Sequence, residues 1–291
     1  MCQSCGCASA SVSAPPHPAT ADGAAAGGPT RTIDVRQAIL ADNDRIAAHN
    51  RAHFDAAEVL VVNLMSSPGA GKTALLEATV GALAQRPGGG PRLAVIEGDL
   101  ETDNDARRIR ARGVPAVQIT TGGACHLDAT MIHDALDDLD LAALDLLFIE
   151  NVGNLVCPAG FDLGHHHAVA LLATTEGDDK PAKYPVLFRT VDLVLISKAD
   201  LLPYLDDFST QRAEAAVRAL ANEAPVFPTS ARDGTGLQGW IDWLVARVAQ
   251  NREALASRPV DAAAHGHVHG GREGLGHAHR PAARHAGADR P

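Results

Sequence analysis

Two rhythms of apolar and polar positions alternate along this chain. Short, nearly uninterrupted apolar runs stand at 59–64, 92–96, 114–120, 144–149, 169–175, 193–197 and 226–229. Between most of them lie longer stretches with apolar residues at helical spacing, notably 72–86, 127–139, 209–222 and 237–255. An apolar run without polar alternation suits a strand buried on both faces, as in a parallel sheet. Strands alternating with helices predict βαβ units, and hence an α/β fold: a doubly wound, mostly parallel sheet with ligands at the carboxyl ends of the strands. A further helix over 35–55, with Val35, Ile39, Ile46 and Phe54 near one face, is expected before the first strand. There is no internal repeat.

Composition sets the limits of this domain. Residues 8–32 are largely Ala, Gly, Pro and Ser, too poor in apolar surface to offset the entropy of ordering, and read as a flexible linker. Residues 258–291 carry six of the fourteen histidines among Ala, Gly and Arg and read as a disordered tail. The folded domain is expected over 33–257, with a cysteine-rich motif at 1–7. A formal charge of -10 argues against binding nucleic acid or anionic lipid through counterion release. No run approaches the roughly 20 apolar residues of a membrane span. With neither a charged leader nor an apolar signal at MCQSCGCASA, a cytoplasmic location is expected. Five cysteines do not make a secreted disulfide framework, so thiolate metal ligands are the more natural reading.

The first strand leads into Ser66-Ser67-Pro68-Gly69-Ala70-Gly71-Lys72-Thr73. A strand, a glycine-rich turn and a helix in that order make a phosphate cradle. Gly69, Ala70 and Gly71 let the backbone wrap the phosphates, and amides at the helix N-terminus supply positive potential. Lys72 reaches the β/γ-phosphates and Thr73 offers a hydroxyl to magnesium. Ser66 stands where the consensus has glycine. A glycine turn that only packs helix on strand would leave Gly71-Lys72-Thr73 unexplained. Guanine is indicated by Ser197-Lys198-Ala199-Asp200, because the Asp200 carboxylate can accept from two guanine N–H groups and adenine offers no such pair. Lys198 would cover the base, and Ser230, Ala231 and Arg232 would close its pocket through backbone amides. Glu97-Gly98-Asp99 and Glu150-Asn151-Val152-Gly153 end two other strands, where a carboxylate can hold magnesium directly or through water. Lys72, Asp99 and Glu150 are assigned to catalysis, and Thr73, Asp99 and Glu150 to magnesium; Asp103 and Asp105 are read as capping or surface charges.

Cys2, Cys5 and Cys7 put three thiols within six residues, a spacing that suits chelation of nickel, although zinc also accepts thiolates. Cys125-His126 opens a predicted helix, and Cys157 follows Glu150 by seven residues. Buried cysteine is common as a small hydrophobe, so what raises Cys157 is its place on a nucleotide-sensing loop. His165-His166-His167 cannot all face one ion, and a solvated surface is an equal reading. His265, His267, His269, His277 and His279 suit loose binding of several borderline metal ions.

This motif set resembles the hydrogenase nickel-incorporation GTPases of the HypB family. The resemblance rests on the phosphate loop, Glu97-Gly98-Asp99, Cys125-His126-Leu127-Asp128-Ala129, the stretch from Glu150 through Cys157-Pro158, Thr175-Glu176-Gly177-Asp178-Asp179-Lys180 and Ser197-Lys198-Ala199-Asp200, in that order. It implies the P-loop NTPase type of sheet and a GTP-hydrolysing nickel metallochaperone for [NiFe]-hydrogenase maturation. It also implies a GTP-dependent homodimer with a metal site of Cys125, His126 and Cys157 at its interface. Its expected partners are a small zinc-containing nickel accessory protein and the hydrogenase large subunit precursor. Histidine-rich members usually carry that segment before the GTPase domain, not at the C-terminus as here. A sister metallochaperone for urease or another metalloenzyme, and a metal-storage protein with a vestigial nucleotide site, are the alternatives.

Overall fold

The structure, a computed structural model, describes residues 35–99 and 103–258. The expectations for Cys2, Cys5 and Cys7, for the linker and for the tail histidines lie outside the described residues. In chain order the elements are α1 (Val35–Ala56), β1 (Leu60–Ser66), α2 (Lys72–Ala84), β2 (Leu93–Asp99), α3 (Asn104–Arg110), β3 (Ala116–Thr120), α4 (Ala129–Ala135) and β4 (Leu146–Glu150). They continue with β5 (His167–Ala173), α5 (Lys180–Lys183), α6 (Pro185–Thr190), β6 (Leu193–Ser197), α7 (Thr210–Arg218), β7 (Val226–Pro228) and α8 (Leu237–Ala256).

The strands form one seven-stranded sheet in the order β3-β2-β4-β1-β5-β6-β7, and every pairing is parallel. The expected doubly wound α/β architecture is therefore present, and among the described strands the sheet is wholly parallel. Helices cover both faces, which is why β1 is buried along its whole length. Leu60, Val62 and Leu64 pack with α2 and α8, while Val59 and Val61 pack against Phe54 and Ile132 on the opposite face. From β1 the chain moves to one side of the sheet, then returns through β4 and crosses to β5 on the other side. That reversal of strand order opens a crevice at the carboxyl ends of β1 and β4.

Two sequence expectations need correction. The buried face of α1 is Asn43, Ala47, Asn50 and Phe54, whereas Ile46 is only half-buried. The asparagines face inward because they satisfy backbone groups. Asn43 accepts from the Ala129 amide and donates to the Asp162 carbonyl, and Asn50 donates to the carbonyls of Ala129 and Leu163. The triple histidine is not an open solvated surface either: His165, His166 and His167 are half-buried, with side chains 15%, 9% and 23% exposed. His166 Nδ1 accepts from the Val61 amide at 2.9 Å, and its Nε2 lies 3.0 Å from Asp55, so this ring anchors the start of β1.

Several helices begin later or end earlier than the pattern implies. The stretch expected to be helical over 127–139 is α4 followed by a single 3-10 turn over Leu136–Asp138. Its start is set by Asp128, which caps the helix by accepting from the Met131 amide. The short helices α3, α5 and α6 were not expected, because four to seven residues carry too little periodicity to read.

Candidate functional site: a nucleotide cleft joined to a thiol cluster

The turn after β1 has Gly69 at φ 74° and Gly71 at φ 95°, left-handed values that favour glycine and aim successive amides inward. Ser66, where a glycine is usual, ends β1 fully buried, and its hydroxyl accepts from Lys72 Nζ at 3.1 Å. The departure from consensus thus supplies a rest for the lysine. Lys72 Nζ also lies 3.9 Å from Glu150 Oε1, which accepts from the Thr73 hydroxyl at 2.9 Å.

Glu97 joins this group, a residue the sequence reading passed over in favour of Asp99. In the parallel register Glu97 and Glu150 are direct partners on adjacent strands, so both carboxyls leave the sheet on one face. Burial first, then the charge of Glu150 and a hydrogen bond with it, pushes the Glu97 carboxyl up to about 11. Glu97 therefore carries a proton at neutral pH, and Glu150 is the carboxyl that faces Lys72. Burial raises Glu150 as well, with Lys72, Glu97 and Thr73 pulling it back. Glu150 Oε2 and Glu97 Oε1 are buried without a hydrogen-bond partner. These hard oxygen atoms, with Asp99 and Thr73 on the same cleft, fit a magnesium ion better than any soft metal. Asp103 stands at the cap position of α3 and pairs with Arg107, and Asp105 pairs with Arg108.

This phosphate cleft, of about 390 Å³, meets a second of about 690 Å³ at Gly71 and Ala74, which line both. The larger one is walled by Lys198, Asp200, Ala231 and Arg232. Ser197 donates to the Ala70 carbonyl at 2.7 Å and so ties the two loops together. Lys198 adopts a left-handed backbone at φ 58°, with its carbonyl held by the Thr174 hydroxyl. Asp200 accepts at 2.7 Å from Ser230, which is fully buried behind the wall and also accepts from the Arg232 amide.

At the same edge of the sheet, Cys125 and Cys157 bring their sulfurs to 2.9 Å, and His126 Nδ1 lies 3.8 Å from the Cys125 sulfur. One donor atom from each of the three residues falls within 4.8 Å of the others. The neighbouring Cys157 thiol raises the Cys125 thiol, and burial lowers the His126 imidazole, so the imidazole is neutral and available as a ligand. Phe161 orients that ring by stacking on it at 3.9 Å, and Asn154 holds the Cys125 carbonyl. Asn151 connects this cluster to the phosphate cleft: its side-chain oxygen accepts from Leu127, the residue after His126, and its own amide donates to Leu64 of β1. Glycines keep the contacts close. A Cβ at Gly98 would lie 2.8 Å from Leu127, and one at Gly153 would lie 2.8 Å from Pro68 of the phosphate loop.

Residues 59–228 match the nucleotide-binding domain of the CobW/HypB/UreG family. The chain is 51% identical over 247 residues to the hydrogenase maturation factor HypB of Azotobacter vinelandii, covering 79% of this chain and 80% of that one. The chain belongs to the HypB family. Two solved HypB structures agree with that membership. HypB from Helicobacter pylori in complex with nickel superposes with a TM-score of 0.68 at 41% identity, over 72% of this chain and 96% of that one. HypB from Archaeoglobus fulgidus superposes with a TM-score of 0.65 at 36% identity, over 72% of this chain and all of that one.

The residues that sequence reasoning missed in this HypB site are Ser66 as a partner of Lys72, Glu97, Asn151 and Phe161. Glu97 was legible as a strand-end carboxylate. Its pairing depends on β2 lying beside β4, which no local pattern reveals. Phe161 gave no signal beyond its proximity to Cys157.

Proposed function

We propose that this chain hydrolyses GTP and uses the cycle to receive and release nickel during [NiFe]-hydrogenase maturation. The observation that carries this reading is Asn151, which follows Glu150 and hydrogen-bonds the residue after His126. A change felt at the phosphates therefore has a direct route to the thiols. Guanine N–H groups donate to Asp200, and Lys198 covers the base. The phosphate-loop amides and the N-terminus of α2 hold the phosphates. Lys72 offsets charge on the β/γ oxygens as water attacks the γ-phosphorus and the bond to the β-phosphate oxygen breaks, giving GDP and phosphate. A bound magnesium, held by Thr73, Glu150 and Asp99, supplies further charge neutralisation there. Glu97 stays protonated, which limits repulsion beside Glu150.

Nickel is the cargo. Two thiolates and one imidazole make a borderline-soft donor set that suits it, and zinc is the rival ion. A fold shared with a relative solved in complex with nickel supports the assignment. A GTP-dependent homodimer through this edge is supported by Val156, 64% exposed beside Cys157. The accessory protein and the hydrogenase large subunit precursor follow from family membership.

Replacing Lys72 by alanine tests the hydrolytic half: GTP turnover should fall about 10²- to 10³-fold, the cost of losing one charge-stabilising donor. Undiminished turnover by the folded variant would refute it. In a strain lacking the protein, hydrogenase should be isolated without nickel, and added nickel should restore part of it. A fall in urease nickel with hydrogenase fully loaded would favour the sister metallochaperone instead.

A further inference from the structure

Three imidazoles meet where α1 packs on α4, away from the nucleotide cleft and the thiols. His49 and His53 stand one turn apart on α1, so their rings share one face of the helix. His133 of α4 completes the group. The ring centroids are 4.5 Å apart for His49 and His53, 5.1 Å for His49 and His133, and 5.9 Å for His53 and His133. One nitrogen from each lies within 4.8 Å of the others. An ion bound tetrahedrally by imidazoles at about 2.0–2.1 Å holds its nitrogens roughly 3.3 Å apart, so small side-chain rotations close the set.

A second observation points to a ligand. His133 Nδ1 lies 3.1 Å from the side-chain oxygen of Asn50. Asn50 is fully buried, and its NH₂ is committed to the carbonyls of Ala129 and Leu163, which turns the oxygen towards His133. An amide oxygen only accepts, so Nδ1 carries the proton and Nε2 keeps its lone pair. A histidine held at one nitrogen by a fixed acceptor and offering the other is how metal-binding imidazoles are oriented. The cluster opens on a cleft of about 460 Å³ lined by Arg45, Ile46, His49, Thr130 and His133, which gives an ion entry from solvent. The charge of Arg45, the one cation on that cleft among the described residues, is paired with Asp42 at 2.7 Å.

We propose that His49, His53 and His133 form a second transition-metal site, for a borderline divalent ion such as zinc or nickel, with water at the remaining positions. Its all-nitrogen donor set differs from the sulfur-rich set of Cys125, His126 and Cys157. Filling it would staple α1 to α4, the helix whose cap Asp128 stands two residues after His126. The proposal does not depend on the nucleotide reading.

The test is acylation of histidines by diethylpyrocarbonate in the full chain, read residue by residue by peptide mass spectrometry. Metal-free protein is compared with protein in zinc sulfate or nickel sulfate. At a metal concentration ten times its dissociation constant, His49, His53 and His133 should slow together by about ten-fold, as only about one site in eleven stays open. His49 is exposed, so His49→Ala should fold as the parent does, and it should remove the protection of His53 and His133. His53→Ala should do the same for the other two. Equal rates with and without either metal would overturn the site, and so would protection of His133 that survives both substitutions.

Discussion

Asp200 illustrates how far a single side chain determines ligand choice. Its carboxylate is held from behind by Ser230 at 2.7 Å and faces the larger cleft as an acceptor. In the proposed reading Asp200→Asn replaces one acceptor oxygen by an NH₂ donor, which suits the extra carbonyl of xanthine. Competition binding should show preference moving from GTP to xanthosine triphosphate, and unchanged preference would count against this residue as the base reader. At this scale the sequence was legible wherever a residue type and its spacing define a chemistry, as in Gly71-Lys72-Thr73 or Cys125-His126. It was not legible where chemistry comes from a neighbour across the sheet. Glu97 owes its proton first to burial and then to Glu150, which the β2–β4 register sets beside it, and Ser66 looked like a flaw in a motif until Lys72 was seen resting on it.

Among the elements, the strands were legible because burial on both faces leaves continuous apolar runs. The inner face of α1 was not, since asparagines that satisfy buried backbone groups look polar on any hydrophobic pattern. The start of β1 depends on His166 in the same way, and this makes a pH prediction. Burial pushes the His166 imidazole down to about 4, against an ordinary value of 6.5. Its Nδ1 must stay unprotonated to accept from Val61. Between those values the unfolded chain takes up a proton that the folded chain refuses, so stability should be lost as pH falls from about 6.5 towards 4. His166→Asn keeps an acceptor that does not titrate. Thermal melts should show a smaller loss between pH 7 and pH 4.5 in the variant than in the parent; some loss should remain, because burial also depresses His165 to about 4. Equal losses would remove His166 from the account.

The segment from Glu150 to Cys157 is the other element that makes a prediction. If it answers to the γ-phosphate, nickel affinity at Cys125, His126 and Cys157 should differ between GDP and a non-hydrolysable GTP analogue. A typical coupling of ~1–3 kcal/mol amounts to roughly a 5- to 150-fold difference. Nickel titrations in the two states, with Cys157→Ala as control, measure it. Equal affinities, or a difference that survives Cys157→Ala, would leave the thiols with a static role.

For the whole molecule, deleting residues 1–7 should remove a tight nickel site while leaving GTP hydrolysis largely intact. Equilibrium dialysis and phosphate release check the two halves of that statement. The fold also gives the two ends of the described chain different addresses. Along α1, Asn43 reaches Asp162 near the thiol loop, whereas Asp55 lies beside His166 at the start of β5. The helix therefore descends from the ligand edge of the sheet to the opposite edge, a length of about 33 Å at 1.5 Å per residue. In contrast, α8 begins against Pro228 at the ligand edge and finishes where Arg258 pairs with Asp55. The described chain thus enters α1 on the side of the thiols and the phosphates and leaves α8 at the far pole. Whatever docks at the start of α1 therefore meets the loading dock, and whatever docks at the end of α8 meets the back wall.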